Sequence, residues 1–430
     1  MAIHRIKNGR NLNVDGRPSS QVADAAKADR VALCPPDFEG QKFKLEVKEG
    51  DDVKVGSKLM SSRANPDILF TSPAGGKVIQ VNRGAQRRLL EIVIEPTEQE
   101  AYEEFKSFST SEIELAEKTE IIKQLLVAGL WPYLIQRPFS RIADPTVSPK
   151  SIFVTAMDTE PNCADKNMLL EGQEEALQAG INALRRLTDG NVYLCSAADA
   201  EKVAAAISGA TGVESHQFSG SHPTGNVGTH IHVLDPINKG DIIWHLNAEH
   251  AAVIGRFLLD GKVPVERLVA LAGSSAIGRK YFKTRLGASI SSVVGTNVEK
   301  GEVRYINGGV LTGKKVESSS YLGFYNSTVT CIPEGGQKEV FGWVKPGFKK
   351  PSFSRMCASA LLPLKKWVMD TKVNGERRAI VASHIYDPLV TLDLHTNFLV
   401  KACIAGDIEE MEALGILECA PEDFALCTYA

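Results

Sequence analysis

Val47-Lys-Glu-Gly-Asp-Asp-Val-Lys-Val-Gly-Ser-Lys-Leu59, followed by Phe70-Thr-Ser-Pro-Ala-Gly-Gly-Lys-Val78, decides how the first part of the chain folds. Apolar residues alternate at Phe43, Leu45 and Val47, and the chain turns at Gly50-Asp51 and Gly56. Ile68 and Phe70 then lead into Pro73-Ala74-Gly75-Gly76, and Leu89 to Ile94 follows a turn at Asn82-Arg83-Gly84. Short strands between Gly and Pro turns predict a small barrel or sandwich over residues 1–98, closing near Pro96. Working outward, residues 99–120 hold seven acids and two lysines, which suits a linker or an exposed helix face. Ile122, Leu125, Leu126 and Gly129 repeat at helical spacing up to Pro132.

Beyond Pro132 the texture becomes α/β. Ile152-Phe153-Val154 reads as a buried strand, Leu177, Ile181, Leu184 and Leu187 as one helix face, and Val192 to Cys195 as another strand. Ile242-Ile243-Trp244 and Ala251 to Leu259 continue the series, so residues 99–262 are expected to form a parallel, Rossmann-like sheet with helices on its faces. Residues 263–316 suit a compact α+β module, 317–349 a strand-rich connection, and 350–430 a mainly helical region interrupted by Pro363 and Pro388. The class is therefore multidomain, α/β and α+β.

Composition bounds the function. The chain has 430 residues, 49 Lys+Arg, 52 Asp+Glu and 43% hydrophobic residues, enough to bury cores and too balanced in charge to wrap nucleic acid. No run approaches the roughly 20 apolar residues of a membrane span, and the opening Met-Ala-Ile-His-Arg has no apolar signal core. The eight cysteines include no Cys-x-x-Cys, which removes the main support for a zinc ribbon or a local iron–sulfur cluster. Charge is uneven: Lys and Arg outnumber Asp and Glu ten to three over 338–378, and the last thirty residues carry one Lys and seven acids. Phe341, Trp343, Phe348, Phe353 and Trp367 lie among those cations, a mixture suited to a partner protein or an anionic lipid surface. Lys349, Lys350, Lys365 and Lys366 are the expected docking residues.

Several motifs fall short of the chemistry they suggest. The opening stretch resembles a biotinyl/lipoyl barrel-sandwich, but the hairpin at 60–69 has Arg63 and no lysine to carry a swinging arm. Gly308-Gly-Val-Leu-Thr-Gly313-Lys314-Lys315 misses a P-loop at the position that should ligate Mg²⁺. After Phe153-Val154 come Thr155-Ala156-Met157-Asp158-Thr159, with no glycine for a dinucleotide phosphate, and no Gly-x-Ser-x-Gly elbow is present. The histidines are more suggestive. His216 is followed by His222-Pro-Thr-Gly225-Asn-Val-Gly228-Thr-His230-Ile-His232, then His245 and His250. His230 and His232 on one face of a strand would suit a metal, but Asp235 is odd-spaced from both. His245 and His250 are five apart, about 140° around a helix. No metal and no catalytic residue is expected.

Strings along the whole chain resemble one family, the A subunits of the bacterial Na⁺-translocating NADH:quinone oxidoreductase. They are Phe70 to Ala85, Gly129-Leu-Trp131, Arg137-Pro-Phe-Ser140, Ile152 to Thr159, His222-Pro with Gly228-Thr-His230, Val310-Leu-Thr-Gly313, Phe341-Gly-Trp343 and Leu426-Cys-Thr428. The resemblance implies a layout of barrel-sandwich, Rossmann-like core, ubiquitin-like SLBB module and helical tail, similar to the flavoprotein of respiratory complex I and to the C component of Rnf complexes. It also implies a peripheral subunit on the cytoplasmic face of the bacterial inner membrane, within a six-subunit complex that passes electrons from NADH to ubiquinone while moving Na⁺. In that family the protein holds no covalent flavin or iron–sulfur cluster, NADH, flavins and clusters belong to other subunits, and ubiquinone is a possible ligand. Family chains run on past the Leu-Cys-Thr string, so this one, ending at Ala430, is expected to be truncated. The other class of function is a free-standing flavin-dependent NADH oxidoreductase on the complex I template.

The loop from His222 to His232 is expected at the carboxyl edge of the α/β sheet, the usual place of a ligand crevice. His222, Gly225, Gly228, His230 and His232 are the candidate quinone-side or partner-side residues. His222, before a proline, is expected to be the most exposed of them.

Overall fold

The computed structural model describes residues 2–198, 204–335, 345–348, 350–351, 357–362, 364–372, 379–381 and 384–430. Its largest sheet has seven strands: β1 (Ala2–Arg5), β2 (Ile135–Arg137), β3 (Arg141–Ile142), β4 (Ser151–Ala156), β5 (Val192–Ala197), β6 (Glu214–Ser219) and β7 (Ile243–Asn247). Their spatial order is β1-β6-β5-β4-β7-β2-β3. The first five in that order are parallel, and the hairpin β2–β3 closes the edge antiparallel. All six residues of β4 are buried, as expected of a central strand covered on both faces.

Three helices matter for the site: α1 (Glu174–Leu187), α2 (Val227–Leu234) and α3 (Ala248–Asp260). Ile152, Val154 and Trp244 share a core with α1 and α3 on one face of the sheet, whereas Phe153, Tyr193 and Ile243 pack on Val227 and Ile231 of α2 on the other. α1 and α3 touch backbone to backbone. A Cβ on Gly255 would lie 1.8 Å from the Ala176 carbonyl oxygen, and one on Gly180 would lie 2.0 Å from that of Ala251.

The barrel-sandwich pairs a four-stranded sheet containing Gly76–Arg83 and Leu89–Pro96 with a three-stranded sheet containing Lys58–Ser62 and Leu69–Thr71. Its start differs from expectation. β1 belongs to the α/β sheet, where it pairs with β6, and Val22–Asp24 forms the edge of a fourth sheet beside Tyr281–Arg285. This fourth, six-stranded sheet is the SLBB-like module. Its strand Thr328–Pro333 lies between Glu266–Ala272 and Val303–Asn307, so a segment expected in the connection after residue 316 belongs to the module's interior. The near-P-loop at 308–313 is the turn between strands Val303–Asn307 and Lys314–Val316.

The C-terminal region is less helical than its composition suggested. Among the described residues its α-helices begin only at Thr396, with Thr396–Ala405, Ile408–Ala413 and Ala425–Tyr429. No helix of the described residues is long and apolar enough to cross a membrane.

Candidate functional site

Strand order reverses at β4: the chain steps outward through β5 and β6, then returns through α2 to β7 on β4's other side. Loops leaving neighbouring strands at such a point diverge and open a crevice at their carboxyl ends. A crevice of about 460 Å³ lies there, lined by Thr155 of β4 and Asp158 after it, by His245 and Asn247 of β7, and by Ser140 of the β2–β3 turn. Parallel register sets the floor, since Phe153 pairs with His245 and Thr155 with Asn247, all pointing to the α2 face. The walls come from elsewhere: Asp37 of the barrel, the 308–312 turn of the SLBB-like module and Glu422 near the C terminus.

The residues that replace a glycine loop after β4 give this crevice its charge. Glu160 accepts from Leu311 N at 2.6 Å and from Thr312 N and Oγ1 at 3.1 and 2.6 Å, clamping the 308–313 turn. Burial, then the neighbouring Asp158 charge, pushes the Glu160 carboxyl up. Asp158 opens onto the crevice yet is ringed by protein, and this desolvation raises its pKa against the pull of Lys166. Lys166 pairs with Glu249 at 2.6 Å. Burial alone would lower its pKa, but Glu249 and Asp158 outweigh it and hold the ammonium charged. Cys163, also on the crevice, is pushed well up by burial and then by Asp158 and Glu160, so it stays a thiol. Five carboxylates against two lysines line the space, an unfavourable environment for phosphate.

The loop expected at this edge is there, but its histidines do not face the crevice as a group. Gly225 lines it. His222 is 1% exposed, which corrects the expectation that it would be the most exposed. Its Nδ1 lies 3.2 Å from Thr159 Oγ1, and burial pulls its pKa down to about 4, so the ring is neutral. His230 and His232 stand on helix α2, not on a strand, so two residues of separation puts them about 200° apart. His230 is fully buried against Phe218, with ring centroids 4.4 Å apart, and burial pulls it down to about 3. His232 points the other way, its Nδ1 2.7 Å from a Glu418 carboxylate oxygen, and that bond raises its pKa. His245 and His250 do not share a helix either, since the first is on β7 and the second on α3, stacked on Tyr133 at 4.5 Å. Asp235 bonds Ser151 and Lys150. Among the described residues no three His, Cys, Asp or Glu groups are placed to hold a metal ion.

What the loop does hold is the chain's own C-terminal segment. Gly228 meets the Asp423 carboxylate so closely that a Cβ there would lie 2.8 Å from its oxygens. Thr229 Oγ1 lies 2.5 Å from Thr391 Oγ1, and Asn226 Nδ2 donates to Glu422 O at 3.2 Å. Arg137, fully buried at the end of β2, donates to Glu422 at 2.5 Å and lies 3.6 Å from Asp423. Burial raises the Asp423 pKa to about 6 despite that guanidinium. Sequence reasoning places Arg137 in a family string with no role attached, and it misses Glu160, Lys166, Glu249 and Asp423. The one available signal is the acid-rich C terminus set against an isolated arginine before a proline.

Of the basic docking residues, Lys349 lies outside the described residues, as do Phe341, Trp343 and Phe353. Lys350 is half-buried, and Lys365 and Lys366 are exposed, Lys365 Nζ standing 4.3 Å from the ring centroid of buried Trp367.

Three domain families match the chain in order: the NqrA N-terminal barrel-sandwich hybrid domain over 4–97, the NqrA second alpha/beta domain over 116–263, and the NQRA C-terminal domain over 268–318. The A subunit of the Na(+)-translocating NADH-quinone reductase of Yersinia pestis bv. Antiqua (strain Angola) is 37% identical over 426 residues, covering 99% of this chain and 94% of the relative. The proteins of the same description from Photorhabdus laumondii subsp. laumondii and Vibrio atlanticus (strain LGP32) are each 36% identical, with the same 99% and 94% coverage. A solved NAD+-reducing NiFe hydrogenase in the air-oxidized state overlaps 55% of this chain and 52% of its own, at a TM-score of 0.35 and 12% identity, too slight a likeness to carry an argument.

Proposed function

The chain belongs to the NqrA family, the A subunits of the Na(+)-translocating NADH-quinone reductase, and from that premise we propose that it is the scaffold and quinone-side component of the pump. As part of the sodium-pumping NADH:quinone oxidoreductase it is active only within the complex. The carrying observation is that the likeness to proteins of that one description extends over 99% of the chain. We further propose a complex of six subunits at the cytoplasmic face of the bacterial inner membrane, with ubiquinone as acceptor and with flavins and iron–sulfur clusters held by other subunits.

The crevice chemistry supports the absence of a phosphate-bearing flavin from this protein. Backbone amides and a glycine turn would be needed after β4, and that place holds Asp158 and Glu160. The same crevice supports a quinone-side role, since a neutral ligand needs only a slot and a few donors. Gly225 is the candidate residue that borders it, Gly228 and His232 act by seating the C-terminal segment beside it, and His222 and His230 act from within the fold, against Thr159 and Phe218. Lys349, Lys350, Lys365 and Lys366 belong to a docking surface for another protein of the complex or the membrane.

Filling the crevice tests the quinone-side reading. In the intact complex Asn247→Phe is expected to lower quinone reduction while NADH oxidation by an artificial acceptor is kept. If both rates stay at wild type, the crevice has no quinone-side role. A purified chain that is yellow and oxidises NADH by itself would favour the free-standing flavoenzyme instead.

A further inference from the structure

Large apolar side chains crowd one short exposed segment. Leu361 is 79% exposed, Leu362 45%, Leu364 93% and Val368 64%. Lys365 and Lys366 stand among them, both exposed. The segment is pinned: Trp367, 9% exposed, donates its backbone N–H to Asn13 O at 2.7 Å, and its own carbonyl accepts from Asp15 N at 2.9 Å. Ala358 N donates to Pro346 O at 2.7 Å, which brings the 61% exposed Phe348 to the same end. A fixed backbone therefore holds leucines outward, an arrangement that costs free energy in water and gains none inside this chain.

Charge says what covers it. Lys365 and Lys366 are the charged residues among these side chains, and the sequence from 340 to 369 has no Asp or Glu. Protruding leucines beside lysines, with no acid between, match a soft anionic interface, where the apolar tips enter the acyl boundary and the ammonium groups remain at the headgroups. The core of a protein–protein contact disfavours lysine and asks for concave complementarity.

We propose that the exposed face made by Leu361, Leu362, Leu364, Lys365, Lys366 and Val368 inserts into the surface of an anionic lipid bilayer. The proposal rests on membership of a membrane complex and goes further in naming lipid, rather than a neighbouring protein, as the occupant.

The test is co-sedimentation of the purified full chain with vesicles of phosphatidylglycerol and of phosphatidylcholine. Binding is expected to the anionic vesicles, weakened by salt. Lys365→Gln with Lys366→Gln should cut partitioning by about thirtyfold, and Leu361→Ser, Leu362→Ser and Leu364→Ser together should abolish it. Because these side chains face solvent, unchanged thermal unfolding of the variants checks that the fold is kept. Equal binding to both vesicle types, wild-type binding by the variants, or no wild-type binding to phosphatidylglycerol would overturn the proposal. If the triple serine variant instead fails to co-purify with the other subunits while the wild-type chain ignores vesicles, another protein of the complex covers the segment. Co-purification of the wild-type chain tests complex membership separately.

Discussion

Arg137 is the residue on which the C-terminal segment turns. It has no exposed surface, and its guanidinium faces the carboxylates of Glu422 and Asp423. Removing one partner of a buried pair leaves uncompensated charge, so Arg137→Met is expected to cost about 3–5 kcal/mol at pH 7.5. The sign of the pH effect follows from Asp423. Its folded pKa is raised to about 6, so its charge opposes folding above that pH and the opposition fades as pH falls through 6. The Arg137→Met penalty should therefore shrink at pH 5, as urea unfolding at the two pH values would measure. His232 runs the other way. Glu418 raises its pKa, so its contribution is fully present below the ordinary histidine value and is lost as pH rises through the raised one. His232→Gln should cost about 1 kcal/mol at pH 6 and nearly nothing at pH 8.5. Equal costs at both would mean the imidazolium–carboxylate bond does not form. These roles were illegible in the sequence because Arg137 and Asp423 are 286 positions apart, and nothing local announces a contact of that range.

At the scale of elements, the helix faces of the α/β domain were legible because burial writes itself as periodicity. Leu177, Ile181, Leu184 and Leu187 all lie fully buried on α1. Helix α2 was not legible: Val227–Leu234 is eight residues long and follows Gly225, so His230 and His232 read as alternating strand positions. The strand Thr328–Pro333 was placed in a connection because its partners lie before it in sequence. What the sequence could not announce at all is how closely α1 and α3 approach. Gly255→Ala forces a methyl against the Ala176 carbonyl, and the resulting separation should cost about 1–3 kcal/mol or more, read as a lowered midpoint of thermal unfolding. An unchanged midpoint would mean the two helices have slack.

For the whole molecule, three modules and the C-terminal segment meet around one crevice. The barrel contributes Asp37, the SLBB-like module its 308–312 turn, the C terminus Glu422, and the α/β sheet the floor. The module order was legible from turn chemistry and from the family strings, whereas the sharing of β1 and Val22–Asp24 among sheets was not, because four- and three-residue strands carry almost no periodic signal. A crevice lined with carboxylates should reject phosphates. Purified chain titrated with FMN is expected to show no saturable binding at neutral pH, and tight stoichiometric binding would contradict the charge argument. The central claim is that this chain serves the quinone end of a sodium pump without flavin chemistry of its own. Membranes from cells lacking it, compared with the same membranes after it is restored, test that most directly, with quinone reduction and NADH oxidation by an artificial acceptor measured side by side. The account predicts that quinone reduction is lost while oxidation by the artificial acceptor is kept; undiminished quinone reduction, or loss of both activities together, would contradict it.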